Sequence, residues 1–198
     1  MQEWMRWFLV VFFPVSFGLV FLGRSLLVWW RTGTNPVVIR PTRDARGYVG
    51  RLFGVAQIAL VASVILLATG QERLLGIFES LHRIELHLLG ASLLVASTIW
   101  TFVAQVQMGD AWRIGIDEKN ATELVTRGLF RFSRNPIFLA LHVALLALFL
   151  ALPSVVTLLS FAVGHIAINM QVYLEEEHMV ALHGDGYDAY RKRVPRWL

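Results

Sequence analysis

Four long, predominantly apolar stretches dominate this sequence, each of a length that suits a bilayer better than a small soluble core. Residues 7–22 are apolar except for Ser16, and the run resumes at 26–30 after a lone Arg24. Residues 52–69 carry Gln57 as their main polar side chain, and residues 86–106 form a third run. Residues 137–174 form a single, largely apolar block interrupted by Pro153-Ser154. A bilayer core takes roughly 20 apolar residues per helical crossing. The last block is far too long for one crossing, and proline opens helices while breaking their interiors. The expectation is therefore two helices joined by a tight hairpin at Pro153, five spans in all, the fourth short and starting in the interfacial zone. Pro14 is placed to kink the first span. That first run is too long for a secretory signal, and no small-x-small cleavage site follows it.

Composition supports a lipid-solvated chain. Hydrophobic residues make up 56% of its 198 positions and charged residues 16%, against about 45–50% and about 25% in soluble domains. Disorder, collagen and coiled coil are excluded. Lys and Arg exceed Asp and Glu by 18 to 14, but the basic residues sit between apolar runs, where they set membrane orientation rather than mark a nucleic-acid partner. Arg31, Arg40, Arg43, Arg46 and Arg51 fill the loop after span 1. Arg113, Lys119, Arg127, Arg131 and Arg134 fill the loop after span 3, and Arg191, Lys192, Arg193 and Arg196 fill the tail. Only Arg6, Arg73 and Arg83 lie on the other side. The basic loops and the tail are thus expected in the cytoplasm and the amino terminus outside, in a cell inner (plasma) membrane. The chain reads as one all-α integral membrane domain, residues 1–198, with three N-terminal spans in 1–107 and the chemistry in 108–198. There is no cysteine, hence no disulfide, thiolate nucleophile or Cys-ligated metal.

Ionisable groups at membrane depth are functional candidates. At 100° per residue, His165, Asn169, Val172 and Glu176 share one face of the fifth span, with Glu175 beside it. Acids closing a helix oppose its macrodipole, an argument that holds only if the helix stops near Glu177. A plain alternative is that Glu175-Glu176-Glu177 marks the helix leaving the membrane. Just before span 4, Asn135-Pro136 has the form of an N-cap followed by proline at the first helical position. Such a helix start attracts anions, and Arg131 and Arg134 are near enough in sequence to add charge-assisted bonds, although both also serve as orientation markers. In the tail, Tyr187 and Tyr190 are spaced to share a face of a short helix after Gly184; the alternative is a basic, aromatic interfacial anchor. Glu79, His82, Arg83, Glu85 and His87 have the residue types of a metal site, but the two histidines are five apart rather than four, and no metal is expected. His142 reads as a packed histidine, and Gln57, Gln105 and Gln107 as interhelical hydrogen-bonding residues.

Residues 108–198 resemble the membrane methyltransferase superfamily that contains isoprenylcysteine carboxyl methyltransferase and the phospholipid methyltransferases. That pattern runs Leu-Val-x-x-Gly-x-Tyr-x-x-x-Arg-His-Pro-x-Tyr-x-Gly, then a helical hairpin, a Glu-Glu pair, Phe-Gly-x-x-Tyr-x-x-Tyr and Arg-Val-Pro. Leu124, Val125, Gly128, Arg134 and Pro136 match its first part, with Phe130 and Phe138 for the tyrosines, Asn135 for the histidine and Ala140 for the glycine. Glu175-Glu176, His183-Gly184, Tyr187, Tyr190 and Arg193-Val194-Pro195 match the remainder.

The resemblance implies S-adenosylmethionine-dependent methyl transfer at the cytosolic membrane face. The acceptor would be hydrophobic or lipid-like: an isoprenylcysteine carboxylate, a lipid amine or a small thiol. Arg134, Asn135 and Pro136 would line the cofactor together with Leu124, Val125, Gly128, Phe130, Phe138, His165, Asn169, Tyr187 and Tyr190. Glu175 and Glu176 would bond cofactor or acceptor, and Arg193 the acceptor's carboxylate. The alternatives are an NADPH-dependent reductase related to sterol reductases and a non-catalytic membrane scaffold.

Overall fold

Proline at position 14 removes one backbone donor from the first span, and the helix loosens just beyond it. The computed structural model describes residues 2–38, 43–115 and 123–198; the orientation markers Arg40 and Lys119 lie outside the described residues. Helix α1 (Glu3–Phe17) passes through Pro14 and widens into a π turn (Gly18–Gly23). It then continues as α2 (Arg24–Thr32), so that the sequence-predicted kink is a change of helical pitch. Helix α3 (Ala45–Ala68) starts on Asp44, whose carboxylate accepts from the Gly47 amide at 3.0 Å. Helix α4 (Ile84–Met108) is the third span. These three stretches and α6 (Val155–His183) are long and apolar enough to cross a membrane. The expected fourth span, α5 (Pro136–Ala151), is also present but has only 16 residues, about 24 Å of helix against a bilayer core of about 30 Å.

The hairpin lies where proline and serine place it. Leu152 and Pro153 separate α5 from α6, and Ser154 caps α6. Its hydroxyl accepts from the Thr157 amide at 3.2 Å while the Thr157 hydroxyl accepts from the Ser154 amide at 3.2 Å. The Pro153 carbonyl also accepts from the Phe78 amide, tying the hairpin to the loop before α4.

Helix α4 packs most extensively against α5, and the crossing depends on one missing side chain. A Cβ on Gly90 would lie 2.5 Å from the Ala151 nitrogen and 2.8 Å from the Ala147 carbonyl oxygen. Small residues permit this approach of backbones, the usual way helices associate in lipid. The main apolar core gathers Met5, Leu9, Leu67, Leu75, Leu94, Leu148 and Leu152 at the same end of the bundle. Arg6 pairs with Glu72 there.

At the opposite end the basic segments meet. Val37 forms an isolated bridge with Ile114, Arg31 pairs with Asp110 at 3.5 Å, and the tail folds onto the start of α5. Helix α7 (Asp185–Arg193) follows α6 after Gly184. Among the described residues there is no β-strand, only two isolated bridges. Helix α6 runs on to His183, so Glu175–Glu177 lie two turns before its end and the opposition to the macrodipole inferred from the sequence does not apply. Gln57 faces outward, whereas Gln107 does bridge elements, its Oε1 accepting from the Leu129 amide at 2.7 Å.

Candidate functional site

Two short backbone devices present the start of α5. Gly128 begins a 3-10 turn (Gly128–Arg131) with φ +62°, and the Gln107 side chain fills the space its missing Cβ leaves. Only glycine takes this conformation without strain. At the helix start, the Pro136 carbonyl accepts from the Trp100 indole at 3.1 Å, fixing α5 against α4.

Asn135 is the residue preceding α5, as its spacing to Pro136 predicts, but its side chain makes no cap hydrogen bond. The Ser133 hydroxyl instead accepts the Asn135 backbone amide at 3.1 Å. Proline at the first position has already removed one orphan donor. The Asn135 amide group is thereby freed to point across the site. It donates to Glu176 Oε1 at 2.9 Å and to the Arg196 carbonyl at 3.3 Å.

Glu176 is the centre of the arrangement. Arg134 Nη2 lies 3.2 Å from its Oε1, and Arg196 donates from Nη2 to Oε2 at 2.8 Å and from Nε at 3.2 Å. The side chains of Arg134 and Glu176 are each 12% exposed, that of Arg196 44%. One carboxylate thus holds together the α5 start, the last turns of α6 and the tail. Its hydrogen bonds to Arg196 hold that guanidinium protonated above its ordinary range, against a smaller opposing effect of burial.

The tail is clasped by its backbone as well. The Pro195 carbonyl accepts from the Arg134 amide at 3.0 Å and the Arg196 carbonyl from the Ser133 hydroxyl at 3.1 Å. Arg134 Nη1 adds a bond to the Arg191 carbonyl at 3.1 Å. Tyr187 and Tyr190 share a face of α7, as expected, with ring centroids 5.9 Å apart and both rings buried. They pack with Val194 against Leu124, Met179 and Val180. The Tyr190 hydroxyl donates to the Phe130 carbonyl at 2.6 Å. Burial, with a smaller contribution from Glu176, pushes both phenols up to about 12.

The remaining candidates divide. Pro136 and Phe130 are buried at the α5 start, with Phe138 half-buried two residues after Pro136 and Val125 half-buried beside Leu124. Glu175 turns along its own helix and accepts from Gln171 at 2.8 Å, away from the arginines. Arg193 is exposed, its Nε donating to the Ala189 carbonyl at 3.2 Å. Arg131 is exposed too. Asn169 bonds the His165 carbonyl at 2.8 Å, and the His165 ring lies 4.8 Å from that of His142.

Sequence reasoning missed two participants, Arg196 and Trp197, which lie beyond the tail motif. His142 is the packed histidine the sequence predicts, but the rings it packs against belong to the tail and α6. The His142 ring stands edge-on to Trp197, centroids 5.0 Å apart, so that Trp197, His142 and His165 form a run of ring contacts joining the tail, α5 and α6. A signal for His142 existed: it follows Asn135 by seven residues, two helical turns on one face. On the far side of the bundle, His82 and His87 lie edge to face at 5.1 Å, and the described residues hold no group of three or more potential metal ligands.

In chemical terms the site holds two guanidinium groups, an amide and a carboxylate already paired with one another; a ligand's carboxylate or phosphate would take the place of Glu176 on the first three, and a cationic or hydroxyl-bearing group theirs on Glu176. It sits where a half-buried polar cluster meets exposed apolar helix faces. A family model described as phospholipid methyltransferase matches residues 86–186, half of the chain. No curated protein and no solved structure matches it.

Proposed function

This chain belongs to the phospholipid methyltransferase family, and on that premise we propose that it transfers a methyl group from S-adenosylmethionine to a hydrophobic, lipid-like acceptor at the membrane surface where its basic loops gather. The observation that carries the reading is Glu176, bonded at once by Arg134, Asn135 and Arg196. The matched family segment contains both ends of that contact across α5 and α6, and the tail completes it.

The donor set suits the cofactor. Arg134 and Asn135 would hold its amino-acid carboxylate, and Glu176, with Glu175 one residue away, its ammonium or ribose hydroxyls. When bound, the cofactor supplies an electrophilic methyl group on a sulfonium. Arg134, Asn135 and Glu176 would hold the donor in line with the acceptor, so that sulfur would keep the bonding pair as the acceptor's lone pair took the methyl carbon, and an amine acceptor would release its proton to solvent. No protein nucleophile is required, so the chain's task is to orient two reactants and exclude water.

The elements serve that task. The start of α5 and the tail form a polar lid, while α6 carries the exposed His165 toward the apolar face from which an oily acceptor would come. By the distribution of Lys and Arg this end faces the cytoplasm, the source of the soluble cofactor. Arg193, exposed on α7, is available to an acceptor's carboxylate or phosphate from outside the cluster.

Titration of the purified protein in lipid nanodiscs with S-adenosylhomocysteine and separately with NADPH tests the reading. Saturable binding of the first, lost in Glu176→Gln, is expected, with methyl transfer from labelled cofactor to extracted lipids or to thiol acceptors. Binding of NADPH alone would establish the reductase alternative. Tight binding of neither, with no transfer, would leave a scaffold.

A further inference from the structure

Arg24 is the one basic residue within the first apolar run, and the fold neither exposes it nor fully satisfies it. It is 5% exposed, although it lies seven residues, about 10 Å of helix, below Arg31. Its Nη2 donates to the Gly109 carbonyl at the end of α4, and its guanidinium carbon stands 6.0 Å from the centre of the Trp112 ring. Its Nε is buried without a hydrogen-bond partner. A buried, unpaired N–H of a cation is costly at membrane depth, where long basic side chains ordinarily reach for headgroups.

The space next to it comes from the π turn. Where α1 widens between Gly18 and Gly23, it leaves a cleft of about 420 Å³ against α4, lined by Leu19, Leu27, Phe102 and Val106 and ending at Arg24. That volume lies in the range of small-molecule sites, about 300–1,000 Å³. Leu19 and Val106 are half exposed, so the cleft opens sideways, toward the bilayer rather than into the bundle. It is separate from the Glu176 cluster. Phe102 and Val106 are on one side of α4, and Trp100 and Gln107, which hold the α5 start, are on another.

Charge identifies the occupant. Asp110, the acid next to both Arg24 and Arg31, offsets only one of the two charges, leaving a net positive charge among these three groups. Basic pockets between spanning helices are suited to anionic headgroups. We infer that this cleft is a binding site for an anionic phospholipid, with one acyl chain along its apolar walls and the phosphate drawn to Arg24. The lipid comes from the leaflet at the α4 carboxy-terminal end, and it is a resident of the scaffold rather than the methyl acceptor.

The test is native mass spectrometry of delipidated full-length protein titrated with phosphatidylglycerol, phosphatidylcholine or inorganic phosphate. Gly18→Leu puts a side chain into the cleft from its wall, and its Cβ meets nothing within 4 Å. Phosphatidylglycerol is expected to bind in preference to phosphatidylcholine, unaffected by inorganic phosphate. Gly18→Leu should weaken it about tenfold, and Arg24→Gln should abolish the preference between the two lipids. Thermal unfolding of both variants checks that they are folded, and Gly18→Leu decides the matter if Arg24→Gln is not. Unchanged phosphatidylglycerol binding in folded Gly18→Leu overturns the site. Equal binding of the two lipids to the wild type, or displacement by phosphate alone, overturns the assigned occupant.

Discussion

The side-chain amide of Asn135 donates to Glu176 Oε1 at 2.9 Å, across 41 residues of sequence. The residue that looks like a helix cap is instead a tertiary link. Its capping work has passed to Ser133 on one side and Pro136 on the other.

That division can be tested by substitution. Aspartate caps helices as well as asparagine does, so Asn135→Asp would be harmless if capping were the role. Set against Glu176 it places like charges together, and it should destabilise the protein more than Asn135→Ala, which should cost about 1–2 kcal/mol. Thermal unfolding in detergent gives the order, and an Asp variant as stable as wild type would contradict the link.

The Tyr190 hydroxyl ties the tail to the Phe130 carbonyl in a buried setting. Tyr190→Phe leaves that carbonyl without its donor and should cost about 1–3 kcal/mol. A terminal element is expected to open locally before the bundle unfolds, so the loss should be seen as faster proteolysis after residue 184, with a smaller change in the main unfolding transition.

The phenols of Tyr187 and Tyr190 also make the tail sensitive to alkali. Both are pushed up to about 12 by burial, from an ordinary value of 10. The folded state therefore holds their protons more tightly than the unfolded state. Their contribution is complete below pH 10 and is lost as pH rises toward 12. Tyrosinate absorbance and tail proteolysis followed from pH 9 to 12 should rise together, and Tyr190→Phe should raise proteolysis at pH 9 while flattening its rise toward pH 12, because only Tyr187 remains to ionise.

Gly128 and Gln107 should behave as a coupled pair. Gly128→Ala sets a Cβ 2.3 Å from the Gln107 side chain and forces a non-glycine residue to φ +62°. The expected cost is about 1–3 kcal/mol. Gln107→Ala removes the clash but also the bond to the Leu129 amide. The double variant should be less destabilised than the sum of the two singles, and strict additivity in a double-mutant cycle would contradict the contact.

Gly90 carries the α4–α5 crossing. Gly90→Ala meets backbone atoms of Ala147 and Ala151, which have nowhere to go without moving a helix. A loss of about 1–3 kcal/mol is expected, and Gly90→Leu should prevent folding. Fluorescence-detected size exclusion reads both.

Much of this protein was legible along the chain because lipid imposes local rules. A backbone in hydrocarbon must satisfy its own hydrogen bonds, so long apolar runs are helices, and Pro153-Ser154 marks a hairpin whatever surrounds it. The glutamate pair, the Arg-Asn-Pro turn and the paired tyrosines were visible as residue types at fixed spacing. Which glutamate turns inward was not. Glu175 and Glu176 are chemically identical and differ by 100° of helix, so only the packing of α6 against α5 sends Glu176 to Arg134 and leaves Glu175 beside Gln171. Arg196, rather than the motif's Arg193, reaches the cluster because α7 ends before it and the tail then folds back along the α5 start. His142 and Trp197 meet for the same reason. Such contacts between distant segments depend on the angles at which helices cross and on where the chain turns back, which no local spacing encodes.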